Sequence, residues 1–65
     1  MNELLSFAVY RGFCIRVFRT DTCIEARVTR RRRRRVLFYE IFWDAGSAVA
    51  WARKKIDLHI GNSRP

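Results

Sequence analysis

One histidine, two cysteines and six acids leave this 65-residue chain little with which to hold a metal or run acid–base chemistry. His59 stands alone, and Cys14 and Cys23 do not form a ligand-spaced pair. Paired carboxylates, a Ser–His–Asp set and a glycine-rich phosphate loop are all missing, so no catalytic residue, cofactor or metal is expected. No run approaches the ~20 apolar residues that cross a bilayer. Glu3 stands where a signal peptide carries positive charge. The expectation is a cytoplasmic protein of a prokaryote or a virus, with reduced cysteines.

Positive charge is what the chain has in excess. Lys and Arg number 14 against 6 Asp and Glu, a formal net charge of +8, and all but Lys54 and Lys55 are arginine. Arginine forks onto phosphate and stacks on rings, where lysine acts as a point charge. That balance points to an acidic partner: RNA, DNA, an anionic membrane or an acidic protein. The apolar share of 49%, with 14% aromatic, is too high for a disordered chain. One domain is expected at this length, and it would bury only about 60% of its unfolded surface. A partner subunit would add burial that the chain alone lacks.

The densest charge is a run of six: Arg30, Arg31, Arg32, Arg33, Arg34 and Arg35, between Thr29 and Val36–Leu37–Phe38–Tyr39. Like charges at this density cannot enter a core without partners, so the run belongs in solvent or against a polyanion. Alternating apolar segments flank it on both sides, which makes it the tip of a β-hairpin.

Phe7 to Arg19 reads as a first strand, with a bend or bulge at Arg11–Gly12. Residues 1–6 read as a lead-in or a single helical turn. Phe13, Ile15 and Val17 point one way, and Cys14, Arg16 and Phe18 the other. Thr20–Asp21 is a turn, and Cys23 to Thr29 alternates again. Facing Arg19 with Thr22 sets Val17 against Ile24, Ile15 against Ala26, Phe13 against Val28 and Arg16 against Glu25. Val36 to Phe42 is the third strand. Facing Thr29 with Val36 puts Leu37, Tyr39 and Ile41 on the core face. Phe38, Glu40 and Phe42 then face outward, with Glu40 opposite Glu25.

Asp44 to Ile60 reads as a helix, with Asp44 as its N-cap. Ala45, Ala48, Val49, Ala52, Ile56 and Ile60 form its apolar stripe. Gly61 is placed to end it in a left-handed conformation, ahead of a disordered tail at 62–65. The expected architecture is α+β: a three-stranded antiparallel β-meander with one C-terminal α-helix packed on one face. Trp43 should pack on the helix start, and Trp51, one turn off the main stripe, should either wrap the sheet edge or be exposed. His59 completes the helix end. Cys14 and Cys23 are not cross-strand partners, so no disulfide is expected.

With Ala45–Gly46–Ser47–Ala48 opening the helix, this order of elements is similar to the last part of double-stranded RNA-binding domains and to single-domain antitoxins. The first group carries an N-terminal helix and a basic start to the last helix. The second carries turn signatures that are absent here. The likeness is one of topology, and topology alone assigns no function.

Two functions are expected from different classes. The first is a non-enzymatic module docking on structured RNA, in preference to DNA, through Arg30–Arg35. Arg53, Lys54 and Lys55 would form a second basic patch. The second is a regulatory or inhibitory subunit of a protein assembly, or a homodimer. Its contact would be the uncovered sheet face with Phe18, Phe38, Phe42, Arg16 and Arg27, which could also stack unpaired bases. A membrane contact ranks last, because no helix with a bulky apolar face accompanies the arginines.

Overall fold

Alternating apolar residues form strands wherever one face can be covered, and four segments of this chain meet that condition. The computed structural model describes residues 2–62, Asn62 by its backbone alone. Strands β1 (Glu3–Tyr10), β2 (Phe13–Arg19), β3 (Ile24–Arg30) and β4 (Val36–Phe42) form one antiparallel sheet in the order β1-β2-β3-β4. Helix α1 (Ala45–Asn62) follows. The fold is α+β, with four strands where the sequence suggested three.

The fourth strand comes from splitting the expected first one. Arg11 and Gly12 have φ of 51° and 84°, so the bend read at this point is a complete two-residue hairpin turn. The segment before it pairs along β2 from Glu3↔Arg19 to Tyr10↔Phe13, with an irregularity at Leu5. Residues 3–6 are therefore strand, in place of the expected lead-in or helical turn.

The β2–β3 hairpin differs from expectation by two residues. Arg19 faces Ile24, which sets Val17 against Ala26, Ile15 against Val28 and Phe13 against Arg30. The turn is wider because Thr20 closes it over Cys23. The Thr20 amide donates to the Cys23 carbonyl at 2.8 Å, and the Thr20 hydroxyl accepts from the Cys23 amide at 3.1 Å. A shift of two preserves the faces, so the same apolar set still lies inside. It brings Arg16 opposite Arg27 instead of Glu25.

Strand β4 carries the larger correction. Thr29 does face Val36, but the next pair is Val28↔Phe38, which leaves Leu37 as a bulged residue. Beyond the bulge the faces exchange. Phe38 and Phe42 turn to the helix, while Tyr39 and Ile41 are 63% and 57% exposed on the opposite side. Glu40 shares the helix side but stays exposed on this edge strand, where its carboxylate accepts from the Ile41 amide. Glu40, expected on the outer face, thus lies on the helix side without being buried.

Helix α1 starts at the 19–24 end of the sheet and returns across it. Asp44 caps it, accepting from the Ser47 amide at 2.8 Å and the Ser47 hydroxyl at 2.9 Å. These bonds hold the Asp44 carboxyl below its ordinary value. Ala48, Ala52 and Ile56 are fully buried against Ile15, Val17, Ala26 and Val28. The two alanines let the helix approach the sheet closely, and Trp51 packs on Phe42 at a ring separation of 5.5 Å. Trp43, expected against the helix start, is 90% exposed. Gly61 continues the helix instead of ending it in a left-handed turn. Apart from Asn62, which closes the helix, the expected tail lies outside the described residues. Cys14 and Cys23 are free, the first buried at the start of β2 and the second in the turn beyond its end.

The bulge at Leu37 has a direct stability test. Ile41→Ser should change the free energy of unfolding by no more than about 0.5 kcal/mol. Phe42→Ser should cost about 2 kcal/mol by loss of its contact with Trp51 and the core. Urea titrations would show the reverse order if β4 paired without the bulge.

Candidate nucleic-acid interface

Strand direction decides where the arginines go. The β1–β2 turn, the β3–β4 loop and the C-terminal end of α1 all lie at one end of the sheet. Arg30 is the last residue of β3, and Arg31–Arg35 form the loop. All six are exposed. Among the described residues none of them ion-pairs with an acid, since Asp57 is taken by Arg11 and Glu25 by Arg27.

The loop is anchored at its root. The Arg31 amide donates to the Gly12 carbonyl at 3.0 Å, and the Arg33 amide donates to the Arg30 carbonyl at 3.0 Å. Arg32 sits between them at φ 66°, a left-handed conformation that a glycine would adopt more readily. The neighbouring turn is in turn fastened to the helix. Arg11 donates to Asp57 Oδ1 at 2.7 Å, and the Tyr10 hydroxyl reaches both Asp57 oxygens at 2.9 and 3.0 Å. Helix, β1–β2 turn and arginine loop are thereby linked in series. The Arg11 bond, then the Tyr10 bond, hold the Asp57 carboxyl below its ordinary value of 3.8.

Arg30 lies over an aromatic ring. Its guanidinium lies 5.5 Å from the Phe13 ring centroid, and its Nη2 lies 3.5 Å from His59 Nε2. The His59 ring meets Phe13 and Phe38 edge-on, at 5.8 and 5.4 Å. A cleft of about 450 Å³, lined by Arg30, Arg33, Arg35 and Leu37, opens beside this group.

The second basic patch divides. Arg53 lies over Tyr10 at 5.8 Å on the β1 flank, and Lys55 over Phe38 at 5.4 Å on the β4 flank. Residues two apart on a helix point to opposite sides, so Arg53, Lys54 and Lys55 make no single surface. Lys55 alone of the three is placed, through Phe38, beside the arginine cleft.

The aromatic set expected on the uncovered face also divides. Phe18, Arg16 and Arg27 are there, with Arg27 over Phe18 at 4.7 Å and Arg16 over Phe7 at 5.0 Å. Phe38 and Phe42 are on the helix side. What occupies the outer face instead is Leu4, Phe7 and Val9 on β1 with Val36, Tyr39 and Ile41 on β4, all exposed. Sequence reading missed the Tyr10–Arg11–Asp57 clamp. Its one signal was Asp57 itself, the only acid after Asp44 in a segment otherwise basic or apolar.

No protein-family model, curated protein or solved structure matches this chain. Among the described residues no helix is long and apolar enough to cross a membrane.

The clamp sets a pH dependence. A carboxyl whose value is lowered by folding stabilises the fold above its unfolded value and ceases to do so as pH falls through the folded one. Asp57→Asn should therefore lower the thermal midpoint at pH 7. The gap to the native chain should close below the ordinary carboxylate range. A constant gap from pH 7 to pH 2 would mean that the carboxylate charge is not what holds the turn.

Proposed function

We propose that this chain is a small non-enzymatic module that docks on structured RNA through the arginine loop. The observation that carries the reading is the exposure of Arg30–Arg35 with no acid of the described residues against them. Guanidinium groups held together against their own repulsion gain most from a polyanion, whose condensed counterions are released on contact. The negative end of the α1 dipole lies at the same end of the sheet and offsets part of that repulsion. Recognition is of phosphate spacing and shape, with Lys55 extending the basic surface past Phe38. A reducing, cytoplasmic setting belongs to the same proposal and suits the two free thiols.

Engagement of four to six arginines gives a slope of roughly −3 to −5 for log affinity against log salt. Changing Arg31, Arg33 and Arg35 together to serine should reduce that slope by roughly 2 to 3. Fluorescence anisotropy with a labelled RNA hairpin, and with DNA of the same length, measures both. A slope near zero would remove the reading, and tighter binding to DNA would redirect it.

A second reading rests on the apolar residues of the outer face, which no element among the described residues covers. An exposed apolar face of this extent fits a protein contact, and a second copy of the chain is the simplest occupant. Sedimentation velocity should then show self-association of the native chain, lost in Phe7→Ser with Tyr39→Ser. A native chain that stays monomeric at high concentration would exclude the second copy.

A further inference from the structure

The cleft beside Arg30 is organised differently from the open loop. A loop that only tracks a phosphate backbone needs mobile cations. Here one cation lies over a ring, its Cζ 5.5 Å from the Phe13 centroid, two more share its cavity, and the remaining wall is Leu37. Two contacts favour this placement of Arg30: the Phe13 ring lies beneath its guanidinium, and His59 Nε2 lies 3.5 Å from its Nη2. A guanidinium stacked on one side keeps its second face for another planar group, and holding it in place beforehand reduces the entropy lost on binding. Arg33 and Arg35 supply forked donors with the geometry of phosphate. Leu37 supplies the apolar surface that a base or sugar edge needs. It reaches the cleft because it is the bulged residue of β4. The volume of about 450 Å³ falls in the range of small-ligand sites, larger than a phosphate alone requires.

We infer that this cleft seats one unstacked nucleotide, with its base on the Arg30 plane and against Leu37, and its phosphate on Arg33 and Arg35. The inference rests on the RNA-docking reading and narrows it to RNA that carries an unpaired nucleotide, such as a bulge or a loop. A duplex whose bases are all stacked fills the phosphate positions and leaves the Arg30 plane bare.

The test compares two RNA hairpins of equal stem length, one fully paired and one with a single unpaired adenosine, at the same salt. The native chain should bind the bulged hairpin about 5- to 150-fold more tightly, the range set by stacking one base. Arg30→Lys keeps the charge and removes the plane. It should bring the ratio of the two hairpin affinities to about 1 while binding to both stays steeply salt-dependent, because the charge is kept. Leu37→Ser should reduce the preference in the same way, and circular dichroism checks that both variants fold. Equal binding of the two hairpins by the native chain, with a steep salt slope, would overturn the cleft assignment and leave the docking reading standing. A preference that survives both substitutions would overturn it too, by placing the nucleotide elsewhere. Absence of salt-dependent binding to either hairpin would overturn both.

Discussion

Mutual repulsion of the arginines is the constraint to which the rest of this small domain conforms. Six adjacent guanidinium groups cannot be desolvated without as many partners, and the chain has only six acids in all. At least two of these acids are engaged elsewhere, Asp57 by Arg11 and Glu25 by Arg27. The run therefore has to stand at an end of the sheet, in a loop long enough to separate the charges. Its root is held by backbone bonds together with the contacts of the Arg30 side chain to Phe13 and His59. The Arg31 amide on the Gly12 carbonyl supplies that anchor, and the Tyr10–Arg11–Asp57 clamp carries it to the helix. The buried core forms where Ala48, Ala52 and Ile56 meet the two central strands, and it reaches the charged end only at Phe13.

One helix can cover only one side of a four-stranded sheet, and this leaves two surfaces of opposite character. The end of the sheet is cationic and polar. The outer face is apolar along both edge strands and charged along the middle, where Arg16 and Arg27 lie on the rings of Phe7 and Phe18. Two cations facing each other across β2 and β3 would be costly if unpartnered. Each instead rests on its own ring, with Glu25 on Arg27 and Thr29 on Arg16. These middle residues are occupied within the chain, whereas the arginine loop and the edge-strand apolar residues are left exposed by the described residues.

What could be read from the residues were features of short range. The alternation of Phe13, Ile15 and Val17 and of Ile24, Ala26 and Val28 identified the core face, and Asp44 marked the helix start. Side-chain period in a strand is two, so the misplaced β2–β3 turn did no harm to the faces. One bulged residue in β4 did, because a shift of one exchanges every side chain after it. Nothing local distinguishes Leu37 as that residue. The choice is made by Trp51 and His59, distant in sequence, which offer Phe42 and Phe38 ring contacts that Tyr39 and Ile41 do not have. The cleft was illegible for the same reason. The arginines announce themselves, but the fixing of Arg30 between Phe13 and His59 depends on the exact pairing of β2 with β3 and on the path of the helix.

The central claim is that the arginine run is not neutralised within the fold and costs it stability in the absence of a ligand. Thermal unfolding in low and in high sodium chloride tests this most directly, for the native chain and for a variant with Arg31–Arg35 all changed to serine. Expected is a variant at least as stable as the native chain at low salt, with the difference shrinking as salt screens the repulsion. A serine variant that melts well below the native chain at every salt concentration would contradict the claim, because the arginines would then be structural members of the fold.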